Sequence, residues 1–170
     1  MIQLRAPLPA FEASALSGGR EVQIKGDDLK GSWHVIVFYT HDETSVCASE
    51  LTSFRDLSAE FEKAGARVVL VSVDSMESHR RWRDGGFGDV PFLWIADPSK
   101  ELARSFDVLH EDTGLALRGT FIVDPDGWVR FVSIHDLPTG RNTGEILRTL
   151  QALQTAQCTP CNWKPGEPTS

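Results

Sequence analysis

Two short apolar segments limit most strongly what this chain can fold into. The first reads WHVIVFY over 33–39 and the second reads RVVLVSV over 67–73. Both are rich in β-branched and aromatic residues, and near-continuous apolar runs of this length are typical of strands buried on both faces of a sheet. The sequence therefore predicts two strands at the centre of a sheet.

The segment between these strands has the spacing of a helix. Apolar residues recur three to five positions apart, and Gly65 follows as a helix stop. These apolar residues are Val46, Leu51, Phe54, Leu57 and Phe61. A connection of this length joins parallel strands by a right-handed crossover. We therefore expect an α/β fold in which Cys47 lies where the first strand leads into the helix.

The second half of the chain continues this alternation. We expect a helix over 76–83, a strand over 92–96, and a helix from Pro98 to about Phe106. Two further strands should form an antiparallel hairpin around the turn DPDG at 124–127. From Thr143 a last helix follows, whose apolar residues share one face. Those residues are Ile146, Leu147, Leu150 and Leu153.

Prolines interrupt any regular structure after about position 157. The sequence thus predicts one domain over 1–156 and a C-terminal tail over 157–170 that carries Cys158 and Cys161.

Charge and hydropathy exclude several classes of protein. The formal net charge of −7 opposes the attraction to phosphates that nucleic-acid binding needs. No stretch approaches the length of a membrane span, and the N-terminus does not resemble a secretion signal. We therefore expect a soluble protein of the cytoplasm that binds neither nucleic acid nor membrane.

Cys47 is the strongest candidate for chemistry. A thiol attacks as its thiolate, and the unpaired amides at a helix N-terminus favour that form. Thr44 precedes it by three residues and can cap the helix or orient an oxygen-bearing substrate. Taken alone, a single cysteine is more often a small buried apolar residue than a nucleophile.

The segment FYTHDETSVCASEL at 38–51 resembles the signature FYPxDFTFVCPTEL of the typical 2-Cys peroxiredoxins, of the alkyl hydroperoxide reductase C and thiol-specific antioxidant type. The resemblance continues in order along the chain. Its further segments are SVDS at 72–75, ADPSKELARSFDV at 96–108, LRGTFIVDPDGWVR at 117–130, DLPTGRNTGEILRTLQALQ at 136–154 and NWKPG at 162–166. It implies a thioredoxin-like fold, with a central mixed sheet flanked by helices and an irregular C-terminal tail.

The resemblance also implies roles for individual residues. Cys47 corresponds to the peroxidatic cysteine, Thr44 to the threonine that hydrogen-bonds thiolate and peroxide, and Arg118 to the arginine beside them. Glu50 and Arg141 correspond to a supporting ion network.

Two departures from the family pattern fall on functional positions. Thr40 stands where the family has a proline that shapes and shields the pocket. In the family, the resolving cysteine lies four residues before the tail tryptophan. In this chain that position is Thr159, and the two tail cysteines, Cys158 and Cys161, lie on either side of it. We favour Cys158 as the first resolver, with Cys161 closing a Cys-x-x-Cys disulfide afterwards, and Cys161 as first resolver is the alternative.

The predicted function is reduction of hydrogen peroxide and small organic hydroperoxides through a Cys47 sulfenic acid, resolved by a tail cysteine of a partner subunit. The resemblance implies a thioredoxin-like dithiol reductant and a homodimer or a decamer of dimers, and we expect no cofactor and no metal. A redox sensor or holdase chaperone of the same fold is the alternative. A thioredoxin-like disulfide oxidoreductase is disfavoured because no second cysteine follows Cys47 at its helix.

Overall fold

A computed structural model describes residues 2–170 as nine β-strands and five α-helices. The strands are β1 Glu12–Ser17, β2 Arg20–Lys25, β3 Trp33–Phe38, β4 Ala66–Ser72, β5 Leu93–Ala96, β6 Leu109–His110, β7 Leu115–Ala116, β8 Arg118–Val123 and β9 Val129–His135. The helices are α1 Ser45–Asp56, α2 Ser58–Lys63, α3 Met76–Trp82, α4 Glu101–Ser105 and α5 Thr143–Gln154.

Seven strands form one mixed sheet in the order β2-β1-β5-β4-β3-β8-β9. The apolar segments identified in the sequence are its centre, since β3 pairs with β4 in parallel and β4 pairs with β5 in parallel. The remaining pairs of this sheet are antiparallel, including the predicted β8–β9 hairpin. The prediction of an α/β fold with a central mixed sheet is confirmed.

Side chains of β3 alternate between the two faces of the sheet. Val35 and Val37 pack in one apolar cluster with residues of α1, α2, α3 and α5. Ile36 and Phe38 pack on the opposite face with residues of α4. Because both faces are covered, nearly every residue of β3 is buried, which accounts for a sequence that is apolar except at His34.

The structure corrects two helix predictions. The expected single helix after β3 is two helices, because Leu57 leaves the helical backbone conformation at ψ 6°. The helix expected from Pro98 begins at Glu101, because the Asp97 carboxylate accepts hydrogen bonds from the amides of Leu102 and Ala103 and so sets the first turn.

Two hairpins were not predicted. The β1–β2 pair carries mostly exposed or half-buried residues and adds to the sheet through β5. The β6–β7 pair is only two residues long on each side. Neither has the continuous apolar run that marked the central strands.

The C-terminal tail is irregular, as predicted, since no helix or strand follows Gln154 in the described residues. It is nevertheless attached to the domain. Trp163 is buried, and its carbonyl accepts a hydrogen bond from Nη1 of Arg148 on α5 at 2.9 Å. No helix among residues 2–170 is long and apolar enough to cross a membrane.

Gly119 on β8 provides a test of packing in this fold. A Cβ at this position would lie 2.8 Å from Cγ1 of Val108 and 2.9 Å from Cε2 of Phe121, both in the core. We predict that Gly119→Ala lowers the free energy of unfolding by about 1–3 kcal/mol, as overpacking of a filled core does. Urea denaturation measures this difference.

Gly85→Ala is the matched control, because a Cβ at position 85 would have nothing within 4 Å and the backbone there is not left-handed. Its free energy of unfolding should stay within about 0.5 kcal/mol of the wild type. Equal stability of the two alanine variants would contradict the packing argument.

Candidate active site

Cys47 lies in the first turn of α1, close behind the end of β3. Thr44 is the N-cap of this helix, and its side-chain oxygen accepts a hydrogen bond from the Cys47 amide at 3.3 Å. The Cys47 residue has no exposed surface. The sequence prediction that Cys47 sits at a strand-to-helix junction is confirmed, and Cys47 lies at the positive end of the α1 dipole.

The loop between β3 and α1 is anchored by a buried carboxylate. Asp42 accepts hydrogen bonds from the Tyr39 hydroxyl at 2.6 Å and the Ser78 hydroxyl at 2.7 Å, and it contacts Nδ1 of His79 at 2.8 Å. Burial, followed by the charge of Asp42, raises the pKa of Tyr39 and keeps its hydroxyl a neutral donor. Trp94 Nε1 in turn donates to that hydroxyl at 2.6 Å.

Sequence reasoning did not single out this anchor. Asp42, Ser78 and His79 lie up to 37 positions apart, so their meeting depends on how α3 packs against the end of β3. Asp42 does belong to the quoted motif, and a charged residue close behind a buried strand was the signal that could have found it.

A second buried carboxylate, Glu50, joins two arginines beneath the cysteine. Glu50 Oε2 lies 2.8 Å from Nη1 of Arg118 and 2.8 Å from Nη2 of Arg141. All three side chains are at most 3% exposed. Burial raises the pKa of Glu50, but the hydrogen bonds and charges of Arg141 and the charge of Arg118 outweigh it and lower the pKa overall.

Arg141 also ties this carboxylate to the backbone of the sheet. Its Nη1 donates to the Phe38 carbonyl at 2.7 Å and to the Gly119 carbonyl at 2.9 Å. Its Nε and its own amide both donate to Oε1 of Glu50 at 2.9 Å. The ion network therefore connects α1, β3 and β8 at one point.

The sulfur of Cys47 has close polar neighbours on several sides. Thr40 Oγ1 lies 3.1 Å from Sγ, and Arg118 Nη1 lies 3.4 Å from it. Burial raises the pKa of Cys47, but hydrogen bonds from Thr40, Thr44, the His41 backbone and Arg118 lower it overall. These neighbours therefore favour the thiolate more than burial disfavours it.

The structure thus brings together six of the residues predicted from sequence. They are Cys47, Thr44, Thr40, Arg118, Glu50 and Arg141.

Cys158 and Cys161 are not part of this cluster. Both are free and exposed, and they line a surface groove formed by α5, the tail and Arg130 of β9. Within residues 2–170, no three His, Cys, Asp or Glu side chains are grouped so that they could hold a metal ion. The tail cysteines therefore lie at the surface, apart from the cluster around Cys47.

The Glu50 network makes a testable contribution to stability. We predict that Glu50→Gln lowers the free energy of unfolding by about 3–5 kcal/mol at pH 7, because it leaves two buried guanidinium groups without their anion. Glu145→Gln breaks the exposed pair between Glu145 and Arg148 and should cost less than about 1 kcal/mol. Urea denaturation of both variants gives the comparison.

The same network predicts a pH dependence. Because the Glu50 pKa is lowered in the folded state, its stabilisation is complete above the ordinary glutamate value of about 4.3 and is lost as pH falls through the folded value. The stability difference between wild type and Glu50→Gln should therefore shrink from pH 6 to pH 3. A difference that grows on acidification would contradict the assignment.

Comparison with known proteins places this arrangement in a family. The family model described as AhpC/TSA matches residues 4–132. Peroxiredoxin 2 of Drosophila melanogaster is 39% identical over 99% of this chain and 92% of its own length. The mitochondrial thioredoxin-dependent peroxide reductase of Bos taurus is 40% identical over 95% of this chain, which spans 66% of that relative's length.

Solved structures agree with the sequence relatives. The reduced 2-Cys peroxiredoxin of Plasmodium vivax superposes with a TM-score of 0.93 at 26% identity, covering 98% of this chain and 91% of that one. The AhpC of Enterococcus faecalis superposes with a TM-score of 0.89 at 34% identity, covering 92% of this chain and 95% of that one. The predicted thioredoxin-like peroxiredoxin fold is confirmed, and the chain belongs to the AhpC/TSA family as a peroxiredoxin of the 2-Cys group.

Proposed function

We propose that this chain is a peroxidase that reduces hydrogen peroxide and small organic hydroperoxides through Cys47. The Cys47 thiolate attacks the terminal oxygen of the hydroperoxide, an S–O bond forms, and the O–O bond breaks. The departing alkoxide or hydroxide takes up a proton and leaves as alcohol or water, while Cys47 becomes a sulfenic acid.

One observation carries the proposal: the buried Cys47 sulfur lies 3.4 Å from the Arg118 guanidinium, which is itself fixed by Glu50. Arginine stays charged, so it stabilises the thiolate and the charge that moves onto the oxygens as the O–O bond breaks. Because Cys47 has no exposed surface, a small oxidant fits this site better than a large one.

Resolution of the sulfenic acid requires a second thiol to reach Cys47. We propose that Cys158 of a partner subunit supplies it: its thiolate attacks the sulfenic sulfur, an S–S bond forms as the S–O bond breaks, and the departing hydroxide takes up a proton and leaves as water. The observation that supports this role is that both tail cysteines are free and exposed. Cys161 then attacks the Cys158 sulfur, which closes a Cys158–Cys161 disulfide and releases Cys47 as a thiolate.

The edge of the sheet supports a dimer that would bring these groups together. β9 is an edge strand, and the N-terminal segment bonds to its start, through Arg5 and Ala6 with Val129. Among residues 2–170, no strand pairs with residues 130–135 on this side, and Ile134 is 41% exposed. Open edges of this kind pair with a second strand.

The direction of that pairing matters. His135 is the register partner of Arg118, so this end of β9 lies beside the active site, whereas Arg130 at the other end lines the tail groove. If two β9 strands pair antiparallel about a two-fold axis, residue 130 of one copy lies near residue 135 of the other. The tail of each subunit then lies beside the active site of its partner.

We further propose that a thioredoxin-like dithiol protein reduces the tail disulfide and that the protein acts in the cytoplasm. The exposed position of the tail groove leaves the Cys158–Cys161 pair accessible to such a reductant, and three free cysteines suit a reducing compartment. Relatives are named for other compartments, among them the mitochondrion and the chloroplast. Assembly of dimers into a decamer stays a prediction, which sedimentation can measure.

Variants of the three cysteines test the reaction. Cys47→Ser should consume hydrogen peroxide far more slowly than the wild type, because neither tail thiol belongs to the cluster of Thr40, Thr44 and Arg118 around position 47. The double variant Cys158→Ser/Cys161→Ser should consume one peroxide per chain and then stop as a sulfenic acid. Stopped-flow kinetics and intact-mass measurement give both results. Slow oxidation of the wild type, accompanied by a change of oligomer size, would instead favour a redox sensor.

The single tail variants test the order of resolution. With Cys158→Ser, the disulfide that contains Cys47 should no longer form on non-reducing gels, whereas with Cys161→Ser it should accumulate. If the Cys47 disulfide persists undiminished without Cys158, then Cys161 is the first resolver.

A substitution on the open edge tests the dimer. Ile134→Lys should shift the protein toward monomer in sedimentation and abolish the intersubunit disulfide, because the charge opposes strand pairing. Sulfenic acid should still form, because Cys47 and Arg118 are unchanged. Val22→Lys is the matched control on β2, the opposite edge of the sheet, where an apolar side chain is 36% exposed. Dimers that survive Ile134→Lys would contradict this interface.

A further inference from the structure

Thr40 stands where the family has a proline, yet its hydroxyl lies next to the reacting sulfur. The Tyr39 amide donates to the Val71 carbonyl at 3.0 Å, so the β3–β4 pairing extends one residue beyond β3. This bond holds the backbone immediately before Thr40 in place. The Thr40 hydroxyl then lies 3.1 Å from Sγ of Cys47, closer than the 3.4 Å of Arg118 Nη1. A proline here would place no donor at this spot.

The direction of this hydrogen bond follows from the chemistry of the sulfur. Thr40 is 5% exposed and Cys47 is fully buried, so the hydroxyl has little access to water. A thiolate carries no proton and can only accept, so the Thr40 hydroxyl must donate to it. Hydrogen bonds to an ionised acceptor are about twice as strong as neutral ones, so this contact favours the anion over the thiol.

The two donors to the sulfur are not equivalent. Nη1 of Arg118 is shared, because it also donates to Glu50 at 2.8 Å, and its Nε donates to the Leu137 carbonyl at 2.7 Å. Among residues 2–170, the Thr40 hydroxyl has the Cys47 sulfur as its hydrogen-bond partner and is not shared in this way. After the opposing effect of burial, Thr40 is the largest of the influences that lower the pKa of Cys47.

We propose that Thr40 is a catalytic residue of this site, whose hydroxyl donates to the Cys47 thiolate and shares with Arg118 the stabilisation of the attacking anion. This inference rests on the proposed peroxidase function for its biological meaning, although the hydrogen bond itself can be measured without peroxide. A donor of this kind has two opposed effects. It increases the fraction of sulfur that is ionised at low pH, and it lowers the nucleophilicity of each thiolate.

The variant Thr40→Val tests the proposal, because valine has nearly the same shape and lacks the hydroxyl. It is measured in the Cys158→Ser/Cys161→Ser background, where Cys47 is the sole cysteine. The rate of alkylation by iodoacetamide is followed from pH 4 to pH 10. We expect the titration midpoint to move to higher pH in Thr40→Val, with Thr40→Ser restoring the wild-type midpoint.

The alkylation rates should cross. Suppose that loss of the donor lowers the acid dissociation constant of Cys47 about tenfold. With a Brønsted coefficient near 0.45, each thiolate then reacts about threefold faster. The alkylation rate of Thr40→Val should therefore be about threefold lower than that of the wild type below both midpoints and about threefold higher above them. A purely structural role for Thr40 would lower the rate at every pH. Thr113→Val, in the turn between β6 and β7, is the control and should leave the profile unchanged.

An unchanged midpoint in Thr40→Val overturns the proposal, as does a midpoint that Thr40→Ser fails to restore. Near-ultraviolet circular dichroism confirms that each variant is folded, and Thr40→Ala serves in place of valine if Thr40→Val does not fold.

Reaction of the wild type with hydrogen peroxide is measured separately. If Cys47 shows the expected alkylation profile but does not react with peroxide, the proposed function fails while the role of Thr40 in holding the thiolate stands.

Discussion

The buried contact of Glu50 with Arg118 and Arg141 is the interaction on which the rest of the site depends. One carboxylate on α1 receives a guanidinium from β8 and another from the segment that leads into α5. Arg141 extends the contact to backbone carbonyls of β3 and β8. Because buried charges are tolerated only when paired and hydrogen-bonded, the three side chains hold their elements in a single arrangement.

The position of the thiolate follows from that arrangement. Arg118 lies beside both Glu50 and Cys47, so its charge is compensated by the Glu50 carboxylate and also favours the thiolate form of Cys47 over the thiol. Thr40 adds a neutral donor that no ion pair constrains. Burial opposes ionisation of the sulfur, and the surrounding donors outweigh it.

Burial of Cys47 also restricts how a tail cysteine can reach it. An oxidised sulfur with no exposed surface cannot meet a second thiol unless the first turn of α1 opens. That turn is capped by one hydrogen bond of 3.3 Å to Thr44, whereas the loop before it is held through Asp42 by several shorter bonds. The Thr44 cap is therefore a longer contact than the hydrogen bonds that hold the loop through Asp42.

The sequence by itself determined the central strands, because short apolar runs rich in β-branched and aromatic residues favour a sheet covered on both faces. It also determined the last helix, the β8–β9 hairpin and, through resemblance, the six residues around the sulfur. It missed the β1–β2 hairpin, whose residues are largely exposed, and the break at Leu57, since short-range spacing does not report local backbone angles. Only the tertiary structure decided that the Thr40 hydroxyl lies beside the Cys47 sulfur and that Asp42 meets Ser78 and His79, because pairing between buried polar groups depends on distances that no spacing along the chain encodes.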